Sequence, residues 1–234
     1  MNKADPNDFV SSFVDTTNDA LADWRTIDGA LASSGIRLRR KAASDAFMSL
    51  AVAWETFLSH WLIAAVNKDS SKTISALSSK LADYATSELR IPSRHVAATV
   101  ITQSHFAVAE VRHLLDPNDF NVVLRDWQDL LAYGRKWLAE PYESAITSVT
   151  KFQYMPAIVT RLIRNALAHQ STAALTAAND VISKNTTPMT LRWNGQRLDV
   201  DGWRRYLLTA TAPVPRIEII HVELGSLAMK LTVT

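Results

Sequence analysis

The side chains best suited to chemistry lie together in one short segment. Arg161, Arg164, Asn165 and His169 fall within nine consecutive residues. Histidine can act as a general base because its ordinary pKa lies near neutrality, and arginine stays charged and matches the geometry of a phosphate group. The segment could therefore take the proton of a 2′-hydroxyl in RNA and stabilise the charge that develops when this oxygen attacks the neighbouring phosphorus. No metal ion is expected, because the segment has no second histidine or carboxylate at ligand spacing.

A helix over this segment would place the polar side chains at different angles. At about 100° per residue, Arg161, Asn165 and His169 recur at i, i+4 and i+8 and share one face. Asn165 could orient the imidazole there or bind a phosphoryl oxygen. Arg164 lies about 140° from His169 on a straight helix, so its long side chain or a partner subunit must close that gap. The opposite face, predicted to anchor the helix in a core, consists of Ile158, Val159, Leu162, Ile163, Ala166 and Leu167.

Apolar residues recur at helical spacing along most of the chain, which predicts a mainly α-helical bundle. Asn194 and Gly195 lie between two short alternating runs and predict a small β-hairpin. We expect a helical domain over residues 1–185 and, packed on it, a C-terminal extension over residues 186–234 that contains the hairpin and a terminal helix. Residues 91–102 are ambiguous. Helices are predicted at about residues 9–31, 38–66, 74–84, 106–115, 123–137, from 155 or 156 to at least 168, and 203–208. A last helix fits residues 217–231, where Gly225 and the β-branched residues leave a strand open.

The composition excludes several classes of protein. Hydrophobic residues make up 47% and charged residues 21% of the 234 residues, which suits a packed core. Because the chain has no cysteine, disulfides, thiolate metal sites and cysteine nucleophiles are excluded. The first residues lack the basic and apolar regions of a secretory signal. The apolar segment 46–66 is interrupted by Glu55, so we expect a buried helix rather than a membrane span, and a cytoplasmic location.

The segment 164–169 resembles the signature of the HEPN superfamily. That signature is an arginine, a polar residue, three further residues and a histidine, and the chain reads Arg-Asn-Ala-Leu-Ala-His there. Two flanking segments are similar to the RiboL-PSP-HEPN branch: residues 44–58, which contain Trp54 and several alanines, and residues 111–122, which contain Asp-Pro-Asn-Asp. The resemblance covers roughly residues 40–180.

The HEPN resemblance implies an activity and an assembly. Members are helical bundles that form homodimers in which two Arg/His motifs face each other across a cleft. They cleave RNA without a metal or other cofactor and leave a 2′,3′-cyclic phosphate and a 5′-hydroxyl. By position, His169 would be the base, Arg164 the residue that stabilises the phosphate and Asn165 a polar helper.

The resemblance also suggests partners. Many members are toxins of toxin–antitoxin systems or act in antiviral defence, so an antitoxin or a defence protein would be a partner besides RNA and a second copy of the chain. Some of these toxins carry a tyrosine two residues after the histidine, where a nucleotidyltransferase modifies them. Ser171 stands at that position here, which puts control by this route in doubt.

Three further residues have more than one interpretation. Glu55 lies in an otherwise apolar helix, where it could hold Arg161 or Arg164 in place or could reach solvent. Arg161 and Lys151 could support the site or bind RNA, since residues 151–170 contain basic residues and no acid.

Two other features leave alternatives open. The basic residues Arg37, Arg39, Arg40 and Lys41 could contact a phosphate ligand or form a solvated helix face. Trp193, beside Asn194-Gly195, could contact nucleic acid or belong to the core. The chain as a whole could instead be a non-catalytic HEPN module that binds RNA, a nucleotide or a protein partner.

Overall fold

The structure is a computed structural model that describes residues 3–93, 96, 105–118, 120–211 and 213–234. It is 72% helix, with no strand among these residues, and this confirms the prediction of a mainly α-helical chain. A short 3₁₀ helix spans Met189–Leu191. The α-helices of the described residues are α1 Pro6–Ala30, α2 Ile36–Lys68, α3 Ser71–Ser87, α4 Val108–Leu115, α5 Trp127–Trp137, α6 Tyr142–Thr147, α7 Lys151–His169, α8 Thr172–Ser183, α9 Val200–Leu208 and α10 Arg216–Met229.

Helix α2 is the long apolar helix that the sequence predicts. Among the described residues it is the one helix long and apolar enough to cross a membrane by length and composition, with a mean hydropathy of 1.3 over its best window. In the protein, 67% of that window is buried. Apolar residues nearly surround α2, and a helix of this kind is expected at the centre of a helical bundle.

The chain forms two compact units, each built from segments that are distant in sequence. The first unit consists of residues 1–9, 58–148 and 231–234, and the second unit consists of residues 10–57 and 149–230. Helices α7 to α10 all lie in the second unit. The boundary expected between residues 185 and 186 therefore falls inside the second unit.

In the first unit, asparagine side chains bind backbone groups from distant parts of the sequence. The Asn67 carboxamide accepts a hydrogen bond from the Ala4 N–H and donates one to the Phe106 carbonyl, each at 2.8 Å. Asn7 Nδ2 donates to the Val233 carbonyl at 2.7 Å, and Asn7 Oδ1 accepts from the Val233 N–H at 3.0 Å. The first unit thus includes residues from both ends of the sequence.

The Asp-Pro-Asn-Asp segment follows α4 in the first unit. The buried carboxylate of Asp116 accepts hydrogen bonds from the N–H groups of Phe120 and Asn121, each at 2.9 Å. Asn121 has a φ of +68°, in the left-handed region that asparagine tolerates better than most residues. Asp116 therefore stabilises the turn that leads away from α4.

The second unit has an aromatic core and a set of packed helices. The Phe13 ring of α1 stacks on Phe57 of α2 at a centroid distance of 4.7 Å and meets Trp54 edge-on at 5.6 Å. Helix α7 packs against α8, α9 and α10. The contacts of α7 with these three helices hold it in place in this unit.

The predicted hairpin around Asn194 and Gly195 does not form among the described residues. Instead, both arms of the loop bind α8: the Trp193 N–H donates to the Ile182 carbonyl at 2.9 Å, and the Asn179 side chain bonds to both backbone groups of Leu198. Because these groups are used by α8, the two arms cannot pair with each other as strands. The terminal helix of the expected extension is present as α10.

Helix boundaries differ from the predicted ones at two other places. Helix α5 begins at Trp127, because the Asp126 side chain accepts a hydrogen bond from the Asp129 N–H at 2.9 Å and caps the helix there. Two helices were not predicted: the short helix α6, which only six residues form, and helix α8, which has twelve. Most of the ambiguous segment 91–102 lies outside the described residues.

Candidate active site

Helix α7 begins earlier than the sequence predicts. The Thr150 hydroxyl accepts a hydrogen bond from the Gln153 N–H at 3.3 Å, and Gln153 Oε1 accepts one from the Thr150 N–H at 2.9 Å. This reciprocal arrangement is a capping box, which stabilises a helix start. Pro156 was expected near the start of the helix, but it lies inside α7, where it cannot donate a backbone hydrogen bond.

Helix α7 ends at His169 and turns directly into α8. Gln170 adopts a left-handed conformation with a φ of +50°, and its N–H donates to the Ala166 carbonyl at 3.1 Å. The Ser171 hydroxyl then caps α8 by accepting a hydrogen bond from the Ala174 N–H at 3.2 Å. His169 is therefore the last residue of α7, and Ser171, two residues later, is the N-cap of α8. Ser171, at the position where some HEPN toxins carry tyrosine, has a structural role as a cap.

The two faces of α7 have the predicted burial in part, since Ile158 and Leu162 of the expected core face are only half-buried. Arg161 and Asn165 are half-buried and His169 is exposed, on the side opposite the core. The imidazole of His169 forms no hydrogen bond or ion pair with the part of the chain that the structure describes, so it is accessible to a ligand. Among the fully buried residues of the opposite face are Val159, Ile163 and Ala166.

The Arg164 side chain turns toward the polar face of α7. Its Nη1 donates a hydrogen bond to Asn165 Oδ1 at 3.1 Å, and the side chain is half-buried. Its Nε is buried and has no hydrogen-bond partner in the described part of the chain. Asn165 thus connects Arg164, which lies on the flank of the helix, to the face that presents His169. The angular gap expected on a straight helix is partly closed by this bond.

The structure does not bring every candidate residue to this place. Lys151 is exposed and is the first residue of α7, which puts it about 27 Å from His169 along the helix axis. Glu55 is half-buried on α2, and none of the ion pairs formed by the described residues includes it. Among the described residues, the structure therefore shows no ion pair between Glu55 and Arg164.

The arrangement can supply one base and positive charge. Residues 151–170 contain no carboxylate, so no acid of α7 neutralises Arg161 or Arg164. An exposed imidazole beside guanidinium groups can accept a proton and can stabilise an anionic group. Among the described residues, no group of three or more histidine, aspartate and glutamate side chains could hold a metal ion.

Sequence reasoning missed one member of a second cationic cluster in the same unit. Arg37, Arg40 and Lys41 of α2, noted as a basic run, line a cleft together with Arg204 of α9. Arg204 lies far along the chain, and its own neighbours in the sequence give no sign of this proximity. Only the packing of α9 brings it there.

Comparison with protein-family models, with curated proteins and with solved structures finds no match to this chain. The resemblance to the HEPN superfamily therefore rests on the segment 164–169 and on the helical segments around it. A function for this chain therefore has to be inferred from the geometry of the site and from that resemblance.

Proposed function

We propose that the protein is a metal-independent endoribonuclease of the HEPN type, with His169, Arg164 and Asn165 as its active-site residues. The observation that carries the proposal is the hydrogen bond from Arg164 to Asn165 beside an exposed, unpartnered His169 at the end of α7. The buried apolar face of α7 packs in the core and thereby fixes the position of these side chains. An exposed base next to a positioned guanidinium is what cleavage of RNA by its own 2′-hydroxyl requires.

The reaction follows from the chemistry of these groups. An unprotonated ring nitrogen of His169 takes the proton of a 2′-hydroxyl, and the oxygen forms a bond to the adjacent phosphorus. The bond from phosphorus to the 5′-oxygen breaks, and that oxygen takes a proton from water. The products are a 2′,3′-cyclic phosphate and a 5′-hydroxyl. Arg164 stabilises the additional negative charge on the phosphoryl oxygens, and Asn165 holds its guanidinium.

The proposed active form is a homodimer. The polar face of one α7 offers one base and few phosphate ligands, whereas a twofold axis would double both and make the contact self-complementary. In this proposal the segment from Arg161 to His169 lies at or near the subunit interface. Sedimentation at micromolar concentration should show a dimer, and a monomer that RNA does not convert would contradict this part of the proposal.

The resemblance to the HEPN superfamily also suggests a biological setting for this activity. A cytoplasmic ribonuclease of this type would act as a toxin or as an effector of antiviral defence, restrained by an antitoxin or another partner protein. Because Ser171 caps α8, control by modification of a tyrosine at this position is not part of the proposal.

The decisive test compares RNA cleavage by the purified protein with cleavage by His169→Ala, both in EDTA. We expect cleavage by the wild type and a loss of about 10²–10⁴-fold in the variant. An oligonucleotide that lacks the attacking 2′-hydroxyl should not be cut. Cleavage of the deoxy substrate, or a requirement for a divalent metal, would contradict the mechanism. RNA binding without any cleavage would favour the non-catalytic alternative.

A further inference from the structure

Helices α2 and α9 of the second unit border a cleft of about 650 Å³. On α2 the lining residues recur at i, i+3, i+4, i+7 and i+8, so they share one helix face over a length of about 12 Å. The cleft is lined by four cations, two carboxylates and one serine, namely Arg37, Arg40, Lys41, Arg204, Asp45, Asp201 and Ser44.

Both carboxylates of the cleft are already paired with a cation of their own helix. Asp45 lies 2.6 Å from Lys41 Nζ, and Asp201 lies 2.8 Å from Arg204 Nη1. Since four cations face two carboxylates, two positive charges remain. These charges belong to the two other arginines of the lining.

The two remaining arginines have no ion pair within the described part of the chain. Arg37 is exposed, but Arg40 is half-buried and its Nε is buried without a hydrogen-bond partner. Arg39, in the same basic run, instead binds Asp28 through two hydrogen bonds of 2.8 Å. A partly buried guanidinium without a partner is costly. Ser44 is buried beside it, so a hydroxyl donor is also available.

We propose that this cleft binds two consecutive phosphodiesters of an RNA strand, at a place distinct from Arg164 and His169; this inference rests on the proposed function. Two unpaired guanidinium groups match two phosphate charges in number, and a guanidinium can bind a phosphate through two parallel hydrogen bonds. The lining contains no aromatic side chain on which a base could stack. The cleft therefore binds the sugar-phosphate backbone of the RNA and positions the strand without base-specific contacts.

The test measures binding of a short, labelled, single-stranded RNA to the full chain that carries His169→Ala, so that bound RNA stays intact. In this background, Arg37→Gln/Arg40→Gln removes the two unpaired charges and keeps much of each side chain. Lys184→Gln/Lys230→Gln removes two exposed charges of the same unit as a matched control. Circular dichroism and thermal unfolding check that each variant is folded.

We expect Arg37→Gln/Arg40→Gln to raise the Kd for RNA about tenfold or more at physiological salt, while the control changes it little. The slope of log K against log salt concentration should become shallower by about 1.4, because each phosphate contact on a single strand contributes about 0.7. An unchanged Kd and slope, or equal changes in both double variants, would overturn the proposal. Loss of binding to anionic lipid vesicles with unchanged RNA binding would overturn it in favour of a membrane surface.

This experiment separates the cleft from the catalytic proposal. If the wild type cuts no RNA in EDTA but the arginine variant still loses RNA affinity and salt dependence, the cleft proposal stands and the nuclease proposal fails. If the wild type cuts RNA, and Arg37→Gln/Arg40→Gln leaves binding unchanged in the His169→Ala background and cleavage unchanged when His169 is present, the nuclease proposal stands and the cleft proposal fails.

Discussion

Helices α7 and α10 carry the same two residue types at the same spacing. Arg164 and His169 in α7 are five residues apart, as are Arg216 and His221 in α10. In α7 the histidine is exposed, whereas in α10 it is fully buried and its Nδ1 lies 2.8 Å from the Ile217 carbonyl. The spacing of arginine and histidine therefore does not by itself separate a candidate active site from a core contact.

The arginines of the two helices differ in the same way. Arg216 is buried, donates to the carbonyls of Thr209 and Arg192 at 3.2 Å each, and places its Cζ 4.5 Å from the centre of the Tyr206 ring. Arg164 has a single amide neighbour as its hydrogen-bond acceptor. In α10 two carbonyls and an aromatic ring contact the cation, whereas in α7 the guanidinium has this one acceptor among the described residues; the Nε of each arginine is buried without a hydrogen-bond partner there.

Among the substitutions that compare the two arginines and their neighbours, the largest effect should come from Arg164→Ala. Loss of a charge that stabilises the transition state is expected to lower the rate of RNA cleavage by about 10²–10³-fold, with little change in the melting temperature. Arg161→Ala is the comparison: helical geometry nominates Arg161, which shares the face of His169, and the HEPN motif nominates Arg164. A larger loss of activity in Arg161→Ala than in Arg164→Ala would show that Arg161, and not Arg164, stabilises the phosphate.

Arg216→Met should lower the stability of the protein but leave its rate of RNA cleavage nearly unchanged. Because it removes the donors to two carbonyls and a cation next to the Tyr206 ring, we expect the free energy of unfolding to fall by about 2–4 kcal/mol, measured by urea denaturation. Cleavage at a temperature where the variant is folded should be near the wild-type rate. A stability loss in Arg164→Met as large as in Arg216→Met would remove the contrast between the two helices.

Asn165 distinguishes the two motifs, because Ile217 stands at the equivalent position in α10. Asn165→Ile removes the acceptor that holds Arg164, and we expect cleavage to slow about tenfold, corresponding to roughly 1.4 kcal/mol. Asn165→Asp keeps an acceptor and should restore most of the activity. If both substitutions slow cleavage equally while the melting temperature is unchanged, Asn165 does not act by positioning the arginine.

The smallest effect concerns the pH dependence of stability. Burial lowers the pKa of His221, an effect that nearby Arg25 increases and that the Ile217 carbonyl and Glu218 oppose. The folded chain therefore binds this proton less readily than the unfolded chain, so stability is full above the ordinary histidine pKa near 6.5 and falls as the pH drops below it.

His221→Leu should therefore lose less melting temperature than the wild type between neutral pH and about pH 5. His169→Ala, which removes an exposed histidine, should leave the pH dependence of the wild type nearly unchanged. Equal acid sensitivity of the wild type and His221→Leu would show that other groups control it.

The sequence predicted the features that depend on local pattern. The apolar stripe and polar face of α7 follow from residue spacing, and the terminal helix α10 follows from its apolar repeat. The hairpin prediction was wrong, because the turn propensity of Asn194-Gly195 is weaker than the hydrogen bonds of Asn179 and Ile182 in α8 to the loop. Those bonds join residues that are distant in sequence and that no local pattern connects.

The candidate site could be predicted only in part, because some of its contacts are likewise not determined by local sequence pattern. The order of residues gives the helix angle of Arg164, but the bond to Asn165 depends on a side-chain conformation that spacing does not determine. Glu55 was considered as a partner for either arginine because a buried carboxylate needs one, yet Glu55 is only half-buried and can meet solvent. Residue type alone could not show how much of it is exposed.

The pairing of Asn7 with Val233 has a consequence for synthesis of the chain. The two residues are 226 positions apart, and a ribosome that adds about 5–20 residues per second needs about 10–45 s to cover that distance. The first unit cannot be closed by these two hydrogen bonds until residue 233 has left the exit tunnel. Until then Asn7 lacks its partner, whereas Ala4 and Asp5 can already bind Asn67 and Lys68.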